Sequence, residues 1–247
     1  MFSYNEFRNI INLIKVYLSI KDFSDVSEWT KSYCVIRHDI EFSVDRALKM
    51  ARIEADDLGI VSTYTVQLRN NTYNALSEKN IKAVQEIRKM GHKLGLHQNP
   101  PCLGASEIKE NILKDIEVLE HYYGFKIDRF AFHRPNVNPQ LLSWYVKIEN
   151  LINCNGELFF QYVEGPLPED LNVTYLSDSN HQWKFGHPLK LNFNKVKKLH
   201  LCMHPFSWSE YGYSNYGNFV SLIRDRNEEL LDSMNSETST FPQELLN

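Results

Sequence analysis

Apolar positions along this chain recur with two alternating periods, every three to four residues in long segments and every residue or every second residue in short ones. The first period marks helices with one buried face, the second marks strands. Ser3-Tyr-Asn-Glu6 is a capping box in front of an apolar periodic run to about Leu18, so the chain opens with a helix. YCVIRHD (33–39) is β-prone. Ser43 then starts a helical segment that ends at Gly59. The run 61–68 predicts a strand, 77–91 a helix, 93–97 a strand, 106–124 a helix and 129–133 a strand. This β-α-β-α-β-α-β rhythm implies parallel strands covered by helices. The second half is less regular. It predicts a short helix from Pro139 to Tyr145, strands at 151–155, 173–178 and 198–204, and an amphipathic helix over 216–234. No linker or repeat interrupts the rhythm. The expectation is one domain over 1–247, with an N-terminal helical segment (1–25) packed on it and a loose polar tail at 234–247.

With 247 residues, 43% apolar and 23% charged, the chain has an ordinary globular composition and is long enough for one α/β barrel without stapling. A net charge of −4 gives no electrostatic reason to expect nucleic acid as partner. The N-terminus lacks the uninterrupted apolar stretch of an export signal, and no segment approaches the roughly 20 apolar residues of a membrane span. Cys34, Cys102, Cys154 and Cys202 show no CxxC spacing, and three sit in apolar runs, as reduced buried thiols do. A cytoplasmic protein is expected.

Ionisable residues collect where predicted strands end: Arg37-His-Asp39-Ile-Glu41, His97-Gln-Asn99, His133-Arg134-Pro-Asn136, Asp178, and His204-Pro-Phe-Ser-Trp208. In a parallel barrel all C-terminal strand ends share one face, which carries the active site. Each cluster has a plainer explanation. Asp39 and Glu41 suit the start of the following helix. His97 and His204 suit core histidines, Arg134 a structural ion pair, and Phe206 and Trp208 the core. His92, His121, His181, His187 and His200 are read as surface or structural groups. It is the grouping that points to chemistry. Phosphate loops and the GxSxG elbow are absent, and no cysteine adjoins a candidate base. Carboxylates, imidazoles and an arginine remain. Such a set suits Zn, Mn, Fe, Co or Ni, and a metal with an open position activates water.

The stretch RHDIEFSVDRALKMARIEADDLGIVSTYTV resembles the opening of divergent polysaccharide deacetylases, the carbohydrate esterase family 4 superfamily. Five landmarks follow in that family's order: Asp39-x-Glu41, Gly91-His-Lys-Leu-Gly-Leu-His97, His133-Arg134-Pro135, Asp178, and His204-Pro205. The resemblance covers about 30 to 210. It implies a distorted (β/α)7 TIM-like barrel and metal-dependent removal of an acetyl group from a sugar. It implies Asp39 as catalytic base, Glu41 and His97 as metal ligands, and Arg134 as the group holding the base. His204 becomes the general acid, tuned by Asp178. Two features depart from the family. Its two adjacent aspartates are here Asp-Ile-Glu, so the roles of Asp39 and Glu41 are open to exchange. Its second metal-binding histidine falls at Pro101, which has no donor. His133 is the first candidate to replace it, Asp39 the second, and a metal-free site the third reading. Trp208 and Asn136 are the candidates for substrate contact. Zinc is the leading metal. The expected substrate is a carbohydrate, with a nucleotide- or lipid-linked precursor of a surface polysaccharide favoured. Hydrolysis of another C–N bond, as in cyclic amides, and a metal-free barrel that only binds carbohydrate are the competing readings.

Overall fold

Strand β1 (Tyr33–Ile40) is buried at every position. A strand hidden on both faces belongs in the middle of a parallel sheet, and its unbroken apolar start fits that place. β2 (Thr63–Val66), β3 (Lys93–Gln98), β4 (Arg129–Phe132) and β5 (Ile152–Asn153) follow on one side of it, with β7 (Lys198–Met203) and β6 (Thr174–Ser177) on the other. Every pairing is parallel. The computed structural model describes residues 1–99, 105–135, 141, 147–163 and 171–246. Among them are five α-helices: α1 (Tyr4–Tyr17), α2 (Val44–Arg52), α3 (Glu78–Lys89), α4 (Ala105–Tyr123) and α5 (Asn215–Glu237). The seven strands curl with the helices outside them, which is the distorted (β/α)7 barrel that the sequence implied. No helix among the described residues is long and apolar enough to cross a membrane.

Alternation along β1 divides its side chains between two environments. Ile40 faces a core shared with α2, α3 and α4; Cys34 and Ile36 face a core shared with α1. Tyr33 and Val35 point to the other side, where they meet Phe23, Ala131, Cys154 and Phe159 inside the curl. Arg129 closes the interior below the site, bonded to Thr63 Oγ1 at 2.8 Å and to both carboxylate oxygens of Asp22. Gly95 makes room for it: a Cβ there would meet Arg129 Cγ at 2.8 Å and the Arg129 carbonyl at 3.1 Å. Cys34, Cys154 and Cys202 are free and buried, as expected.

Two elements differ from the pattern-based reading. The segment after Ser43 is helical as expected but widens into a π-turn at Ile53–Asp57 before Gly59. The turn carries Glu54, which is fully buried against Ser62 Oγ (2.6 Å), Tyr64 OH (2.8 Å) and His38 Nε2 (2.8 Å). These polar partners lie on the outer face of β1 and β2, where hydrophobic periodicity gives no sign of them. The last helix runs to Glu237, past the expected loose start of the tail. Ser233 and Ser236 return their hydroxyls to the carbonyls of Glu229 and Ser233, so they do not break it. The short helix expected at Pro139–Tyr145 lies outside the described residues except for Leu141.

Candidate active site

Arg37, Asp39 and Glu41 share one face because they are two residues apart on or just past a strand. That face is the interior, and the three rise toward the C-terminal mouth. Asp39 is held at four points. Arg37 Nε donates to Oδ1 (2.8 Å) and Nη2 to Oδ2 (3.0 Å). Thr65 Oγ1 on β2 donates to Oδ1 (2.7 Å), and the Cys202 thiol on β7 donates to Oδ2 (3.3 Å). Burial penalises the charge, but the Arg37 guanidinium together with His97 and His204 outweighs it and holds the carboxyl well below the usual range.

Glu41 stands nearer the mouth, and three imidazoles converge on its Oε1: His133 Nε2 at 3.2 Å, His204 Nε2 at 3.7 Å and His97 Nε2 at 4.0 Å. Burial opposes its ionisation, while His204, His133 and His97 pull its pKa below the ordinary value. Its backbone carbonyl is fixed by Asn70 Nδ2 (2.8 Å) and Thr72 Oγ1 (2.7 Å) from the loop after β2. The same loop, with Asn99 and Arg226, lines a polar cleft of about 580 Å³.

The histidines are in different states. His97 is buried, and burial keeps its pKa below the ordinary imidazole value. Neither of its ring nitrogens has a hydrogen-bond partner among the described residues. Its Nδ1 lies 3.8 Å from Asp39 Oδ1. His133 places Nδ1 3.1 Å from Asn99 Oδ1 and Nε2 3.2 Å from Glu41 Oε1. His204 is locked to Asp178. Its Nδ1 is 2.6 Å from Asp178 Oδ1, and its backbone N–H reaches the same carboxylate at 3.0 Å. Burial works against its charge, yet Glu41 and Asp178 raise its pKa to about 9.

The fit to a divalent metal rests on His97 and its neighbours. A buried imidazole with both nitrogens unsatisfied carries a desolvation cost that a ligand removes. Two donors each about 2.1 Å from one ion stand at most about 4.2 Å apart. The Glu41–His133 and Glu41–His97 separations fall inside that limit, and one donor atom from each of the three residues lies within 4.8 Å of the others. Asp39, Cys202 and His204 form a second such group. There the Asp39 oxygens are already engaged, and burial raises the Cys202 pKa far above the ordinary thiol range, so its thiolate is not accessible.

The structure thus brings Asp39, Glu41, His97, His133, Asp178 and His204 together from five strand ends. It corrects two expected roles. Arg134 does not hold Asp39: it is exposed, at a φ of 46°, and makes no ion pair among the described residues. Arg37 takes that place because strand alternation already aims it along the same wall. Trp208 is no substrate platform: it is fully buried against Phe2 and Phe7, and its Nε1 donates to Asp178 Oδ2 at 2.7 Å. Its indole serves the site by fixing the carboxylate that fixes His204. Asn136 and Pro101 lie outside the described residues. Thr65, Asn99 and Cys202 went unassigned in the sequence reading. For Cys202 a signal existed, since it precedes His204 by two residues and so shares its face.

No family model and no curated protein matches the sequence. Solved structures similar to the chain include a CE4 family pseudoenzyme from Bacillus anthracis, at 13% identity over 83% of this chain and 66% of that one, with a TM-score of 0.45. The chitin deacetylase of the fungal pathogen Colletotrichum lindemuthianum is 14% identical over 80% of this chain and 84% of its own, with a TM-score of 0.45. A peptidoglycan N-acetylglucosamine deacetylase is 14% identical over 88% and 90%, with a TM-score of 0.45.

Proposed function

We propose that this chain is a metal-dependent hydrolase that removes an acetyl group from a sugar, with Glu41, His97 and His133 holding the ion. The observation that carries the reading is the buried His97 ring, without a hydrogen-bond partner at either nitrogen among the described residues, beside a carboxylate whose Oε1 also faces a second imidazole nitrogen. Mixed carboxylate and imidazole donors suit zinc first, with Mn, Fe, Co and Ni compatible. When bound, such an ion polarises an acyl carbonyl and lowers the pKa of water. Glu41 fits the ligand role and Asp39 does not, because the Asp39 oxygens are taken up by Arg37, Thr65 and Cys202.

Asp39 stays ionised beside Arg37 and is the carboxylate assigned to accept a proton. Arg37, Thr65 and Cys202 keep it from turning away. His204 carries a proton on Nε2, the nitrogen that faces Glu41, and delivers it to the departing nitrogen or oxygen. Asp178 holds the opposite nitrogen, and Trp208 holds Asp178. The cleft beside Glu41 is lined by Asn70, Asn71, Asn74 and Asn99, amides that both donate and accept, as sugar hydroxyls require, and by the cations Arg69 and Arg226. A nucleotide- or lipid-linked sugar is the favoured form of substrate.

Acetate release from N-acetylated and O-acetylated sugars, free and nucleotide-linked, tests this against release of product from cyclic amides. The account expects turnover on an acetylated sugar that a chelator abolishes and zinc restores. Turnover of cyclic amides alone would move the reaction to another C–N bond. Carbohydrate binding without turnover at full metal loading would leave only a binding protein.

A further inference from the structure

Helix α5 packs on the barrel with its polar side. Asn218 and Leu222 are its two buried residues. Arg46, itself buried on α2, donates from Nη1 to Asn218 Oδ1 (2.8 Å) and from Nη2 to Ser221 Oγ (2.7 Å) and Asp225 Oδ2 (2.8 Å). Lys79 on α3 reaches Glu229 at 3.4 Å. Positions 218, 222, 225 and 229 therefore face the body. The opposite side carries Tyr216, Val220, Ile223, Leu230 and Met234, between 38% and 81% exposed. At about 100° per residue these lie roughly 150° around the helix from the docked positions.

With the exposed Asn227, the stripe steps by four, three, four, three and four residues, which is the 3.5-residue period of a coiled-coil seam. In that frame Val220, Asn227 and Met234 take one core position and Tyr216, Ile223 and Leu230 the other. We infer that the chain forms a homodimer through α5, the helix pairing side by side and in parallel with α5 of a second copy, Asn227 against its counterpart.

Three features favour a second copy over another occupant. In an apolar groove the Asn227 amide would lose water without a partner, at a cost of about 1–3 kcal/mol. Against its own counterpart it both donates and accepts, and it fixes register and orientation. The docked face is opposite the seam, so two barrels sit on the outside of the helix pair without meeting. The five apolar side chains form one continuous exposed stripe, which a two-fold pairing hides on both copies at once. Phe219 flanks the seam and touches Phe42, the residue after Glu41, at 5.7 Å between ring centroids. Arg226, seven residues on, flanks the same side and lines the polar cleft. The pairing would thus brace a wall of the cleft.

Sedimentation velocity on the full chain tests this, with wild type expected at twice 29.0 kDa. The Ile223→Asp/Leu230→Asp double variant is expected at half the wild-type mass with an unchanged circular dichroism spectrum. Asn227→Cys is expected to cross-link between copies on mild oxidation while wild type does not. A wild type that stays monomeric up to high micromolar concentration overturns the proposal, including one that gains mass only with lipid vesicles. A double variant that remains dimeric overturns it too. A dimer in which Asn227→Cys fails to cross-link overturns the parallel pairing.

Discussion

Arg37 and Asp39 are two residues apart on one strand and meet in a two-point ion pair, Nε to Oδ1 at 2.8 Å and Nη2 to Oδ2 at 3.0 Å, with both side chains almost wholly out of water. The pair forms the floor of the site. Two charges buried this deeply depend on each other, because each alone is desolvated without compensation.

Asp39→Asn is therefore expected to harm the fold as well as turnover. Asn cannot neutralise Arg37, and breaking a buried pair of this kind costs about 3–5 kcal/mol. Urea denaturation should show that loss in the single variant and recover part of it in Arg37→Met/Asp39→Asn, while turnover stays lost in both. Unchanged stability in Asp39→Asn would mean the pair is not buried as described.

His204 offers a test of charge in the site. In the metal-free protein its imidazole should titrate near 9 by NMR, against about 6.5 for an unperturbed histidine. A folded pKa above the unfolded one adds stability that is complete below about 6.5 and is lost as pH rises through about 9. Asp178→Asn removes one of the two carboxylates responsible and should bring the value down. A wild-type value at or below 6.5 would contradict the Asp178–His204 geometry.

Much of this arrangement was legible in the sequence, and the reasons are local. Apolar periodicity located the strands, and parallel topology then requires their C-terminal ends to meet. That logic put Asp39, His97, Arg134, Asp178 and His204 in one cleft, and all of these but Arg134 meet there. What it missed depends on which way a side chain turns. Arg134 was the partner that the family resemblance implied for Asp39, yet its backbone enters the left-handed region and the residue is exposed. Arg37 was the better choice on alternation alone. Trp208 is apolar enough to be core and has one N–H that needs a partner, so burial and service to Asp178 were both compatible with its sequence context. Glu54 was invisible: a carboxylate in a helix reads as a solvated face, and only the π-turn aims it inward.

The barrel floor should be sensitive to acid. Burial opposes the charge of Asp22, but its bonds to Arg129 bring its pKa down to about 2 from 3.8. A depressed carboxylate contributes stability above its unfolded pKa, and that contribution disappears as pH falls from about 4 through about 2. The shift corresponds to roughly 2 kcal/mol. Asp22→Asn should lower the thermal midpoint at pH 7 and flatten its dependence on pH in this window. Equal acid sensitivity in wild type and variant would remove Asp22 from the account.

The central claim is that Glu41, His97 and His133 hold one divalent ion. Isothermal titration of zinc into the metal-stripped protein, with elemental analysis of the product, measures this directly. One ion per chain is predicted for wild type, with binding lost in His97→Ala and weakened at least tenfold in His133→Ala, about 1.4 kcal/mol. Wild type that takes up no metal, or His133→Ala that binds with unchanged affinity, would contradict the assignment.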